Sequence, residues 1–168
     1  FDSHSDTWDT YFGGFKYTHG TPFRRAIEED LIDPKKYVIL GLRGGLYNPD
    51  DLKWAIEQGI TIISTDKFYE IGMNETIKII RDVLGDTPTY FTFDIDGIDP
   101  TFAPGTGTPE VGGINVREAQ LIIRHLNSLN FIGADVVEVS PPFDVNNMTS
   151  LVGATIAFEI LCTMTKTN

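Results

Sequence analysis

Continuous apolar strands alternating with amphipathic helices predict an α/β fold, a three-layer αβα arrangement whose parallel sheet is covered by helices on both faces. Three observations carry this. Residues 37–42, 60–64, 89–93 and 134–139 are short runs rich in aliphatic, β-branched and aromatic residues, of strand length and without polar alternation. The segments between them repeat apolar residues at helical spacing. The chain has 168 residues, 41% hydrophobic, enough for one sizeable core, so residues 1–168 read as a single domain.

Taken in order, Thr21-Pro22-Phe23 opens a helix to about Leu31, and the late acids Glu28, Glu29 and Asp30 oppose its dipole and are expected to be solvated. The strand at 37–42 runs into Gly41-Leu42-Arg43-Gly44-Gly45. Arg43 is expected to be structural, bound to a carbonyl or an acid near the top of the sheet, beside glycines that serve backbone geometry. Asn48-Pro49-Asp50-Asp51 caps a helix through about Gln58, stopped by Gly59. A strand at 60–64 follows. The helix at 73–84 carries Ile77, Ile80 and Leu84 on a core face. The strand at 89–93 leads to a helix at 116–129 with Ala119, Ile122, Ile123 and Leu126, then a strand at 134–139 and a mostly buried helix at 149–165. No internal repeat or linker interrupts the series.

The formal net charge is −11, from 13 basic and 24 acidic residues, which disfavours nucleic acid and anionic membranes and favours cationic ligands or metals. Cys162 is the single cysteine; it reads as an inert core thiol, and the absence of a disulfide framework predicts a reducing compartment, the cytoplasm. The most apolar stretch, 151–164, is interrupted by Gly153 and Glu159 and is too short to span a bilayer. The sequence begins at Phe1 rather than Met, so any targeting signal lies out of view.

The chemistry concentrates at Phe93-Asp94-Ile95-Asp96-Gly97-Ile98-Asp99-Pro100, followed by a Gly/Pro-rich loop to Pro109. On an extended strand Asp94 and Asp96 would leave one face about 7 Å apart. Two such carboxylates need a cation, or one must protonate; the competing reading makes them turn residues, since Asp-Gly and Asp-Pro mark loops. Asp2, His4 and Asp6 repeat at period two and on an extended segment would share one side. Two carboxylates and an imidazole suit manganese, iron, cobalt or nickel better than thiolate-loving ions. All these groups, with Arg43 and Glu138, fall at or just after predicted strand ends, where parallel sheets collect ligands. Glu138 lies in Val136-Val137-Glu138-Val139; buried there it requires a buried arginine or a positive ligand. His19, in a glycine-flanked loop, and His125, on a polar helix face, have no role from their own surroundings.

Asp2-Ser-His4-Ser-Asp6, His19-Gly20, Phe93-Asp94-Ile-Asp96-Gly-Ile-Asp99-Pro with Pro104-Gly-Thr-Gly-Thr-Pro109, and Glu138-Val-Ser-Pro resemble the successive signatures of the ureohydrolases, the arginase and agmatinase family. The resemblance spans nearly the whole chain and looks closest to agmatinases. It implies an arginase-like fold and two Mn2+ ions per site, with Ni2+ or Co2+ as alternatives. Asp2 and Asp94 would bridge the ions, Asp6 would complete one, and His4 and Asp96 the other. A sixth ligand, a His in a Gly-Gly-Asp-His type motif upstream, has no counterpart here, and the chain is expected to correspond to a C-terminal half starting at the end of a central strand. The resemblance also implies that Glu138 receives a substrate guanidinium, that His19 shuttles protons, that Asp6 passes a proton to the departing amine, and that the protein forms trimers or hexamers. By simple offset, the positions that hold the amino-acid carboxylate in arginases are Trp8 and Phe15, which cannot do so. The aromatic and acidic stretch from Trp8 to Phe12 predicts an aliphatic amine tail instead, hence agmatine cleaved to putrescine and urea. The alternatives are another guanidino compound (guanidinobutyrate, guanidinopropionate, guanidine) or a non-catalytic metal-binding or assembly half.

Overall fold

The computed structural model describes residues 1–165. Two pairs of parallel strands form its frame. β1 (Val38–Leu42) pairs with β2 (Thr61–Ser64), Ile39 opposite Ile62 and Leu40 opposite Ile63. β3 (Thr89–Asp94) pairs with β4 (Phe131–Val137), Phe91 opposite Ala134 and Asp94 opposite Val137. Residues 1–2 knit the pairs together: Phe1 N donates to Thr92 O, Asp94 N to Phe1 O, and Asp2 N to Leu40 O. Gly41 permits this approach, because its φ of 109° suits no other residue and a Cβ would sit 3.1 Å from the Asp2 carbonyl. Phe1 stacks on Phe93 at 4.9 Å, and beneath it a cleft of about 90 Å³ opens between Val38–Leu40 and Thr89–Thr92.

Five helices flank these strands: α1 (Pro22–Glu28), α2 (Lys53–Gln58), α3 (Thr65–Leu84), α4 (Val116–His125) and α5 (Met148–Met164). β1 is buried on both faces and serves two cores, Ile39 and Leu40 facing opposite ways and the register shift between Leu40 and Leu42 putting Leu42 on the side of Ile39. Ile39 and Leu42 join Ile27, Ala55 and Ile60 in a cluster with α1 and α2. Leu40 joins Ile63, Phe68, Ile77, Phe93, Ile122, Ile156 and others in the larger core with α3, α4 and α5. The layered α/β arrangement with parallel strands is therefore as predicted.

Boundaries differ for identifiable reasons. The helix expected at 73–84 is present, but it continues across a kink at Gly72 from an unexpected helical segment that begins at Thr65, capped by Ser64 Oγ accepting from Lys67 N. α4 stops at His125 where a helix to 129 was expected, and β4 runs 131–137 instead of 134–139. Glu28, Glu29 and Asp30 are exposed as expected, and Glu28 in addition pairs with Arg24 and Arg25 at 2.9 Å. Among the described residues no helix is long and apolar enough to cross a membrane.

Candidate functional site

The strands point their carboxyl ends at one acidic floor, but not by extended-strand alternation. β3 ends at Asp94, and Asp96 lies in a 3-10 turn (Ile95–Gly97) that Asp94 caps, its Oδ1 accepting from Asp96 N at 2.9 Å. Likewise the first six residues form no strand, and Asp6 has a φ of 50°, so period-two alternation does not place it. Side-chain hydrogen bonds close the floor. Ser3 N and Oγ donate to Asp96 Oδ1 at 3.0 and 2.7 Å, and His4 N donates to Asp2 Oδ1 at 2.6 Å. His4 Nδ1 lies 3.0 Å from Asp96 Oδ2. At Gly44 a Cβ would fall 2.6 Å from the His4 ring, so this position must stay bare. Asp2, His4 and Asp96 each offer a ligand atom within 4.8 Å of the others.

The electrostatics ask for a cation. Asp94 is pushed up to about 9 by burial and by the charges of Asp96 and Asp2. Burial and the charge of Asp94 raise Asp6 to about 7. Asp2 is raised by burial and by Asp6 and Asp96. At Asp96 burial also acts upward, but the His4 hydrogen bond and charge and the Ser3 donors outweigh it and lower the carboxyl. For His4, burial opposes protonation, yet Asp96 and Asp2 raise it to about 9. Among the described residues no lysine or arginine forms an ion pair with Asp2, Asp6, Asp94 or Asp96. Buried carboxylates left this way are relieved by protons or by a metal.

A cavity of about 590 Å³ opens above His4, Asp6 and Asp94, walled by Trp8, Tyr11, Phe12, His19, Tyr47, Thr108, Glu110 and Glu138. Glu138 is not buried among the valines. It follows the end of β4 with a φ of 62°, its side chain is 33% exposed, and its Oε1 lies 2.7 Å from His19 Nδ1. The pairing alternative at Glu138 thus involves a histidine and not a buried arginine, and it ties down His19, which is otherwise 74% exposed. Trp8 reaches the cavity; Phe15 does not, being 68% exposed. Asp9, expected among the amine-reading groups, faces Arg25 at 3.1 Å and Arg24 at 3.7 Å. Asp99 is the turn residue of the acidic run, accepting from Thr101, Gly112 and Gly113. His125 stays on the surface, its Nδ1 against Leu121 O.

The Arginase family model matches residues 1–163. The chain belongs to the arginase family. A guanidinopropionase of Pseudomonas aeruginosa is 57% identical over 96% of this chain and 51% of its own length. An agmatinase of Neisseria meningitidis is 44% identical over 96% of this chain and 49% of its own. The solved structure of proclavaminate amidinohydrolase from Streptomyces clavuligerus superposes with a TM-score of 0.94 at 42% identity, covering 99% of this chain and 55% of that one. The chain spans about half the length of the curated relatives it matches. The arginase-family chain also brings to its site residues that spacing did not single out. Ser3 was hidden between two candidate ligands, Glu110 followed the loop that ended the motif, and Tyr47 reaches the cavity from a segment without any motif.

Proposed function

We propose that this chain carries the metal-binding floor and the substrate wall of a binuclear-metal guanidino hydrolase that releases urea and an amine. What supports the reading is a single cavity in which His4, Asp6 and Asp94 face the His19–Glu138 pair. Four carboxylates and an imidazole, three of the carboxylates raised by burial and mutual repulsion, suit a hard divalent cation of the manganese type, with nickel or cobalt tolerated. Asp2 and Asp94 would bridge two ions, Asp6 would serve one, and His4 and Asp96 the other. Two such ions, when bound, lower the pKa of a water between them from about 15.7 toward neutrality and so supply a nucleophile.

The chain's own side chains do the rest. Glu138 presents its carboxylate to the planar N–H edge of the guanidinium, a charge-assisted pairing of matched geometry, and thereby orients the central carbon over the acidic floor. As the carbon–oxygen bond forms and the carbon–nitrogen bond to the alkyl chain breaks, Asp6 takes the nucleophile's proton and delivers it to the departing nitrogen. His19, half of the hydrogen-bonded pair and open to solvent, exchanges with bulk water a different proton, the one given up when the attacking water becomes hydroxide.

For the substrate's tail we infer a short guanidino carboxylic acid of the guanidinopropionate kind. The similarity to the guanidinopropionase supports it. So do the Tyr11 and Tyr47 hydroxyls of the cavity wall, 3.4 Å apart and able to donate to a carboxylate. Agmatine is the second reading, favoured by Glu110 in the same wall. Both lack the α-amino acid group that arginine carries. Urea release by the manganese-loaded protein, measured at equal concentrations of 3-guanidinopropionate, 4-guanidinobutyrate, agmatine and arginine, tests the choice. The highest kcat/KM is expected for 3-guanidinopropionate and the lowest for arginine; a higher value for agmatine would shift the reading to Glu110, and one for arginine would refute both.

A further inference from the structure

We propose that Arg43 is a positioning residue that holds the two ligand-bearing segments at the separation their metals require; this rests on the metal-floor reading above. The residue follows β1 and is tied to both segments at once. Its backbone N and that of Gly44 donate to Ser3 O at 3.0 and 2.8 Å, between Asp2 and His4. Among the described residues its guanidinium makes no side-chain ion pair, and it reaches backbone carbonyls instead. Nη2 lies 2.8 Å from Asp96 O and 3.4 Å from Ile98 O, and Nη1 lies 3.3 Å from Gly97 O and 3.0 Å from Gly41 O. Nε and Nη2 both donate to Glu110 O, at 3.1 and 2.7 Å. Through that last carbonyl Arg43 also fixes the residue whose carboxylate stands 3.7 Å from His4 Nε2, the ring nitrogen turned away from Asp96.

The geometry suits a guanidinium and no other side chain. Five N–H donors in a planar fork can satisfy carbonyls on three backbone segments together, whereas an ammonium offers three donors from one point. Room for the fork and for the Asp99 backbone beside it is kept by Gly113, where a Cβ would fall 2.4 Å from Nη2 and 2.6 Å from Asp99 N. A positive charge placed on carbonyls instead of on Asp94 or Asp96 leaves those carboxylates free for an ion. The groups that orient ligands from behind typically change metal affinity by roughly 10- to 100-fold when altered.

The test is manganese affinity by chelator competition on the purified protein, with the thermal midpoint of the metal-stripped form measured alongside. Arg43→Lys keeps the charge, so a long-range electrostatic effect would leave affinity unchanged. The expected result is a loss of roughly 10- to 100-fold with the metal-free midpoint moved by only a few degrees. Arg43→Gln, which keeps amide donors but cannot span the three backbone segments, is expected to lose affinity in the same direction and serves if Arg43→Lys does not fold. Arg24→Lys, altering a half-buried arginine away from the acidic floor that stacks 4.5 Å over Trp54, is expected to bind manganese as the unaltered protein does. Affinity unchanged in folded Arg43→Lys or in folded Arg43→Gln would overturn the inference while leaving the ligand assignment standing. Failure of the unaltered protein to bind manganese would overturn the ligand assignment and this inference with it.

Discussion

Asp94 and Glu138 close the ends of paired strands, Asp94 in register with Val137, yet loss of charge should affect them in opposite ways. Asp94 is buried on the floor, raised to about 9 by burial and its acidic neighbours, whereas Glu138 stands in the wall bonded to His19. Asp94→Ala is expected to lose bound manganese together with activity, because a bridging carboxylate serves both ions. Glu138→Gln keeps a partner for His19 and is expected to retain manganese while kcat/KM falls about 100-fold, about 2.7 kcal/mol of transition-state binding. Metal analysis of both variants beside their kinetics decides: two tightly held ions in Asp94→Ala would sink the bridging role, and metal loss in Glu138→Gln would sink the substrate role. The acids and His4 were legible because ligand chemistry selects residue types, and types are visible in one dimension. Ser3 and Glu110 were not, since their site partners Asp96 and His4 lie far along the chain; Arg43 was expected to bind a carbonyl and does, but the three backbone segments its fork joins were not visible.

At the scale of elements, apolar runs located the four described strands, Pro22 marked the start of α1, and Gly59 and Gly85 the ends of α2 and α3. The cap expected at 48–51 is not one, because α2 starts after Leu52 without a side-chain cap. Where reading failed, the local code was overruled by packing. Residues 65–71 have weak periodicity, and Gly72 argues against a helix; Phe68 nevertheless buries its ring in the main core, and that burial stabilises by roughly 1.5–3 kcal/mol, enough to extend α3 backwards. The bend itself needs glycine. Gly72 has φ 79° and ψ 167°, a region essentially closed to other residues, although nothing lies within 4 Å of where a Cβ would be. Gly72→Ala should therefore cost about 1–3 kcal/mol from backbone strain alone. Denaturant unfolding is expected to show that loss with metal affinity unchanged, and an unaltered midpoint would mean that α3 can straighten without penalty.

For the molecule as a whole, the acidic floor makes stability depend on pH in a direction set by the metal. In the metal-stripped protein Asp6 and Asp94 titrate near 7 and 9 rather than 3.8, and His4 near 9 rather than 6.5, with Asp2 raised as well. Each of these groups holds its proton more tightly folded than unfolded. Their contribution is complete below the unfolded values and is lost as pH rises through the folded ones, so the stripped protein should weaken from about pH 4 to about pH 9. Asp96, lowered, acts in the opposite sense, but only below its ordinary value of 3.8 and hence outside this window. Manganese binds the deprotonated ligands, so its uptake releases protons and its stabilisation grows with pH. At free metal 100-fold above Kd each site adds about 2.7 kcal/mol, which for a chain of this size raises the midpoint by roughly 5–11 °C. Thermal scans between pH 5.5 and 8.5 should therefore diverge, the stripped protein losing midpoint as pH rises while the manganese-loaded protein holds or gains. Parallel curves would mean that the floor keeps its carboxylates ionised without a metal, and that the repulsion among Asp2, Asp6 and Asp94 is relieved by some other group.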